Sequence, residues 1–140
     1  IAAVLFETQP EETNGAEIRK VYKVGGVVDE ALKGFPVVFE DALPAYKNMM
    51  AGQGNHQIAG VYAMSKLMQS VEDTTSLHRC GKAGLAKIKS DGKNIQKMIE
   101  EGKSTFRFLE ELNEEYKSIN LTMGGVADML ALTFALSRLV

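Results

Sequence analysis

The sequence predicts an all-α protein, a compact bundle of six to eight short helices within 140 residues. Three observations carry that expectation. Apolar residues recur at threes and fours along most of the chain. No segment alternates apolar and polar residues in the manner of a strand, and no internal repeat is visible. Glycine, asparagine and Asp/Ser/Thr clusters fall between the periodic stretches, where helix ends need them.

Taken in order, residues 1–6 are apolar and read as a helix tail or short strand. Residues 7–15 are polar, with Pro10 and Asn14, and read as a poorly packed lead-in. Thr13 or Asn14 caps a first helix through Val21, with Glu17 near the third position of a capping box. Gly25 and Gly26 interrupt it. Val27, Val28, Ala31 and Leu32 mark a second helix that stops at Gly34. Pro36 suits the first turn of a third, whose face is Val37, Val38, Ala42, Leu43 and Tyr46 and whose end is Gly52. Pro44 lies inside that run and predicts a kink or a division. Asn55 caps a fourth helix with a broad stripe from Ile58 to Val71. Asp73, Thr74, Thr75 and Ser76 offer capping chemistry for a fifth, carrying Leu77, Cys80, Gly84, Leu85 and Ile88 to about Ser90. Asp91 and Gly92 read as a turn before Ile95, Met98 and Ile99, a set that ends near Gly102. Ser104 caps the next helix, with Phe106, Leu109, Leu112, Tyr116 and Ile119 on one face. The last follows Gly124 and Gly125 and is almost wholly apolar from Met129 to Leu136.

Composition excludes several classes. With 45% hydrophobic and 24% charged residues, the chain suits one globular domain with its own core. A net charge of −2, with signs mixed and no basic stripe, argues against nucleic acid as a partner. No apolar run is long enough to span a membrane. Cys80 is the only cysteine, so internal disulfides and cysteine metal sites are ruled out and a reducing, cytoplasmic setting is expected. Because the chain opens at Ile1, it reads as part of a longer polypeptide, and an apolar face left uncovered would favour a homodimer.

Chemistry is expected at three places where glycine and a carboxylate share a helix entrance. Helix N-termini present unpaired N–H groups to phosphate, glycine permits close approach, and a carboxylate can hold Mg²⁺ against phosphate oxygens. The first place runs from Gly26 to Pro36 around Glu30, which a solvated glutamate beside a turn would also explain. The second is Asp73, Thr74, Thr75 and Ser76, followed by Arg79, Gly81 and Gly84; Asp73 here is either an N-cap or a ligand-facing carboxylate. The third runs from Leu121, Thr122 and Met123 through Gly124 and Gly125 to Asp128, in the first turn of the last helix, where the carboxylate caps, pairs with a base or binds metal. His78 reads as an exposed histidine, and Cys80 as a small core residue.

These places resemble, in order and spacing, the triphosphoribosyl-dephospho-coenzyme A synthases, which make the prosthetic-group precursor of citrate lyase and malonate decarboxylase. The resemblance rests on Gly26, Glu30, Gly34, Phe35 and Pro36, then Ala42, Leu43 and Pro44. It continues through Asp73, Thr74, Arg79, Gly81, Gly84 and Leu85, and ends on Leu121, Gly124, Gly125, Ala127, Asp128, Leu130 and Thr133. It covers residues 17–139, corresponds to a C-terminal half, and implies an N-terminal half elsewhere that completes the site. This chain carries Val28 and Thr75 where the family has arginine and asparagine. The resemblance implies transfer of the 5-triphosphoribosyl group of ATP onto 3′-dephospho-coenzyme A, with Mg²⁺ as cofactor and the isolated chain inactive. It assigns Glu30, Asp73 and Asp128 to catalysis, the two aspartates also to the metal. Thr74, Arg79, Gly81, Gly124 and Gly125 are assigned to the nucleotide. The alternative is a catalytically silent helical nucleotide-binding or protein-interaction domain.

Overall fold

The computed structural model describes residues 26–139, so the expected helix through Val21 and the lead-in lie outside the described residues. Six α-helices follow one another: α1 (Gly26–Leu32), α2 (Leu43–Gln53), α3 (His56–Ser70), α4 (Thr74–Glu100), α5 (Phe106–Ser118) and α6 (Gly124–Ser137). A π-helical stretch, Val37–Ala42, leads directly into α2. The described residues contain no strand, as the periodicity requires. No helix among them is long and apolar enough to cross a membrane.

The helix ends follow local chemistry. Asn55 accepts the Ile58 N–H at 3.1 Å and starts α3. Gly34, Gly102 and Asn120 each stop a helix in the left-handed region. After each, the next residue's N–H reaches back across the helix end: Phe35 to Glu30, Lys103 to Met98, Leu121 to Tyr116. Gly54, at φ 65°, ends α2 two residues beyond the expected Gly52, which stays helical. Ser104 supplies the expected hydroxyl, accepting the Phe106 N–H at 3.4 Å, although Thr105 is the residue at the boundary.

One expectation holds in an unforeseen form and one needs correction. Pro44 does mark a division of its run, standing second in α2 directly after the π-helical stretch. Its ring would crowd the carbonyl of Glu40 in a regular α-turn, and the chain answers by widening to π geometry just before it, with Leu43 N–H bonding Val38. Asp91 and Gly92 form no turn, and α4 runs through them to Glu100. Tertiary packing overrides the local Asp-Gly signal. Asp91 is buried, accepts the Tyr116 hydroxyl at 2.8 Å and pairs with Lys87 at 3.1 Å. Gly92 lets α4 lie against α3, since a Cβ there would fall 2.6 Å from Met68 Cβ and 2.9 Å from the Ser65 carbonyl. The real break in α4 is Gly81 (φ 66°, ψ −159°), a conformation essentially confined to glycine.

The centre of the fold is α3. Its small residues Ala59, Gly60 and Ala63 let α2, α6 and the π stretch approach, while Leu67 and Met68 fill the space toward α4. A Cβ at Gly60 would lie 3.1 Å from Phe134 of α6. Gly92→Ala is accordingly expected to destabilise by about 2 kcal/mol, because backbone on α3 cannot give way as a side chain could. Gly52→Ala, with open space around it, should raise stability by about 0.5–1 kcal/mol. Thermal melts of the two variants against the parent check both signs.

Candidate active site at converging helix ends

Asp73 is fully buried, at 0% exposure, which a carboxylate tolerates only when its oxygens are engaged. It precedes Thr74, Thr75 and Ser76 with extended backbone, the conformation of an N-cap. Oδ1 accepts the N–H groups of Thr75 and Ser76 at 3.0 and 3.1 Å, and Oδ2 accepts that of Val126 at 3.1 Å. One carboxylate therefore serves the positive ends of both α4 and α6 across 53 residues of sequence.

Glycine makes that approach possible. A Cβ on Gly125 would stand 3.3 Å from Asp73 Cγ and Oδ2, and one on Gly124 would stand 2.9 Å from Thr75 Oγ1. Val27 of α1 closes the junction from the third side, its Cγ2 3.5 Å from the same Gly125 position. The three places singled out in the sequence thus meet at one point.

Helical periodicity then sets a charged residue one turn beyond each contact. Glu30 follows Val27 on the same face of α1, Arg79 follows Thr75 on α4, and Asp128 follows Gly124 on α6. Glu30 is half-buried, with Oε2 accepting the Val37 N–H at 3.4 Å. Arg79 is exposed, and its guanidinium donates to Asn120 Oδ1 at 2.6 Å. Asp128 is exposed in the second turn of α6, not the first. It needs no buried partner, since Ala127, Ala131 and Ala135 are also exposed, and it is the only charge on that helix.

Thr74 opens α4 and is half-buried, while Gly81 ends the first stretch of α4 just past Arg79. The carboxylates expected to share a metal are divided by burial: Asp73 is enclosed and committed to backbone N–H groups, whereas Asp128 faces solvent. Among the described residues no group of three or more His, Cys, Asp or Glu is arranged to hold an ion. His78 is exposed, and the half-buried Cys80 directs its Sγ to the Ile119 carbonyl at 3.2 Å.

Sequence reasoning passed over Val27 and Asn120 as participants. Asn120 did carry a signal, an asparagine directly after an apolar helical face, suited to a left-handed terminator. Nothing local marks Val27, because its role comes from the approach of α6.

Fold and junction together define an all-helical protein in which a buried carboxylate ties two helix N-termini, with three charged residues around the tie. The chain belongs to the CitG family, described as ATP:dephospho-CoA triphosphoribosyl transferase, whose family model matches residues 3–140. Relatives are named probable 2-(5″-triphosphoribosyl)-3′-dephosphocoenzyme-A synthases. The one from Pseudomonas putida is 31% identical over 132 residues, covering 92% of this chain and 46% of the relative. That from Pseudomonas aeruginosa (strain UCBPP-PA14) is 32% identical over 131 residues, covering 91% and 44%. That from Stutzerimonas stutzeri (strain A1501) is 33% identical over 132 residues, again covering 91% and 44%. The chain spans less than half the length of these relatives. No solved structure matches it.

Proposed function

We propose that the protein acts in transfer of the 5-triphosphoribosyl group of ATP onto the 2′-hydroxyl of 3′-dephospho-coenzyme A, with release of adenine. The observation that supports this reading most is the meeting of Val27, Thr75 and Gly125 around the Asp73 carboxylate, with Glu30, Arg79 and Asp128 one turn beyond. Family membership supplies the substrates.

In this reading the hydroxyl oxygen bonds to ribose C1′ as the bond from C1′ to the adenine nitrogen breaks. The electron pair of that bond leaves with adenine, which also receives the hydroxyl proton. Nothing is oxidised or reduced, and the triphosphate stays whole. The protein therefore has to grip phosphate without cleaving it and stabilise positive charge at C1′.

The first N–H groups of α6, at Gly124 and Gly125, and of α4, at Thr74, serve the grip because a helix leaves them unpaired. Arg79 adds a planar fork for phosphate oxygens. Glu30, oriented by Val37, faces the ribose and takes the hydroxyl proton on its way to the base. Asp73 is a positioning residue: it fixes α4 and α6 and leaves ligand contact to its neighbours. Asp128 is the exposed carboxylate that would hold a Mg²⁺ carried by the triphosphate, an ion that would neutralise charge on the phosphate oxygens.

The test is adenine release from ATP with and without 3′-dephospho-coenzyme A, measured by chromatography for a polypeptide of the relatives' full length and for this chain. Adenine should appear one-for-one with a triphosphoribosylated product in the longer protein and not in this chain alone. Release of phosphate with no adenine would overturn the reading.

A further inference from the structure

A cavity of about 540 Å³ opens between α3, α4 and α5 against the loop that leads into Gly124. Its floor is Met64, Met68, Ile95 and Leu112, and its rim carries Asn113, Lys117 and Asn120. Thr122 also lines it. Its Oγ1 is the one buried side-chain polar atom among the described residues with no hydrogen-bond partner. An orphaned buried hydroxyl is costly unless a ligand or ordered water completes it.

The wall chemistry narrows the ligand. A flat base would want aromatic faces to stack on. Here Tyr116 is the only ring, and its hydroxyl is committed to Asp91 at 2.8 Å. Burial, reinforced by that bond, pushes its phenol well above the usual range, so it stays protonated. Met64, Met68 and Met123 instead give a soft lining that adapts to a flexible aliphatic chain. Polar groups are confined to the rim and to Thr122, which suits a chain carrying amides. Charge completes the picture, because Asn120 on the rim holds Arg79 at 2.6 Å and Lys117 stands beside it. The cavity thus matches an amphipathic amide-bearing tail whose anionic end stays at the mouth.

We infer that this cavity takes the pantetheine arm of the coenzyme substrate, with Thr122 bonding an amide and the adjoining phosphate lying toward Arg79. The inference rests on the transferase reading for the identity of the substrate. In dephospho-coenzyme A the arm is joined directly to the pyrophosphate, whereas the base of ATP is held away from its phosphates by ribose. Thr122 stands two residues before Gly124, so an arm bound here runs to the same helix end that grips phosphate.

The test is titration calorimetry on the purified protein with 4′-phosphopantetheine, which has the arm and no nucleoside, and with ADP, which has the nucleoside and no arm. Thr122→Val removes the hydroxyl at constant shape and should weaken phosphopantetheine about fivefold to tenfold, the worth of one hydrogen bond. ADP affinity and melting temperature should not fall. Asn113→Trp, at an exposed rim position, should block the arm and spare ADP. Absence of phosphopantetheine binding, equal affinity in both variants, or a parallel loss of ADP would each overturn the inference, the last by placing the base in the cavity. An affinity unchanged in Thr122→Val but lost in Asn113→Trp would leave the hydroxyl to water and overturn its role. These are binding measurements, so phosphopantetheine capture by this chain, with no adenine released by a polypeptide of the relatives' full length, would sink the transferase reading and leave the cavity assignment standing.

Discussion

Asp73→Asn is expected to lose about 2–4 kcal/mol of stability, from one buried N–H left unpaired and two helix ends stripped of their negative charge. An amide offers a single acceptor oxygen where the carboxylate offers two. With the oxygen kept on Thr75 and Ser76, the amide NH₂ must face the Val126 N–H, donor against donor. Reversing the amide leaves the two α4 groups orphaned instead. Either way a buried N–H goes unpaired and two helix ends lose their compensating negative charge. For a domain of this size the melting temperature should drop by roughly 7–14 °C, read by circular dichroism. Ala should be at least as damaging. Gly125→Ala should act in the same direction and more weakly, since its added methyl meets the same carboxylate at 3.3 Å. An Asp73→Asn melt indistinguishable from the parent would show that the bond to Val126 does not hold the helices together.

That bond also marks how far the sequence could be read. Residues that act on their own neighbours were legible: Asn55 and Asp73 as caps, Gly34 and Gly102 as terminators, and the apolar stripe of α3. Each expresses a local rule of hydrogen bonding or conformation. The misreadings share a different cause. Asp91 and Gly92 look like a turn until α3 and α5 arrive to use a missing Cβ and a buried carboxylate. Gly81 also sets the break in α4, a backbone role that its spacing in the sequence does not announce. At the site, sequence order and spacing named three separate places, and resemblance said that they belong together. The distances at Gly124 and Gly125 give the physical reason, because only glycine lets α6 rest on the cap of α4. Thr122 fell inside the third place with no role of its own, because a threonine between Leu121 and Met123 says nothing until its hydroxyl is found buried and unpaired.

Asp128→Ala should leave the melt within about 0.5 kcal/mol of the parent, the ordinary range for an exposed position, while the proposed transfer, assayed in a polypeptide of the relatives' full length, falls about 10²–10³-fold. The contrast with Asp73 separates the two carboxylates by readout, one moving stability and the other turnover. The sign of the binding change then tests what Asp128 meets. If it touches Mg²⁺ carried by the triphosphate, its removal weakens Mg-ATP, because a negative ligand to the ion is lost. Metal-free ATP should respond the other way, binding equally well or more tightly, since a like charge near the phosphates has gone. Asp128→Asn should follow Ala in both titrations, and Asp128→Glu should recover part of the Mg-ATP affinity. Weakening of both forms together would mean that the carboxylate orders the start of α6 and has no contact with the ion. Turnover and both affinities unchanged would remove Asp128 from the site, and the charge opposite Arg79 would then have to come from Glu30 or from outside residues 26–139.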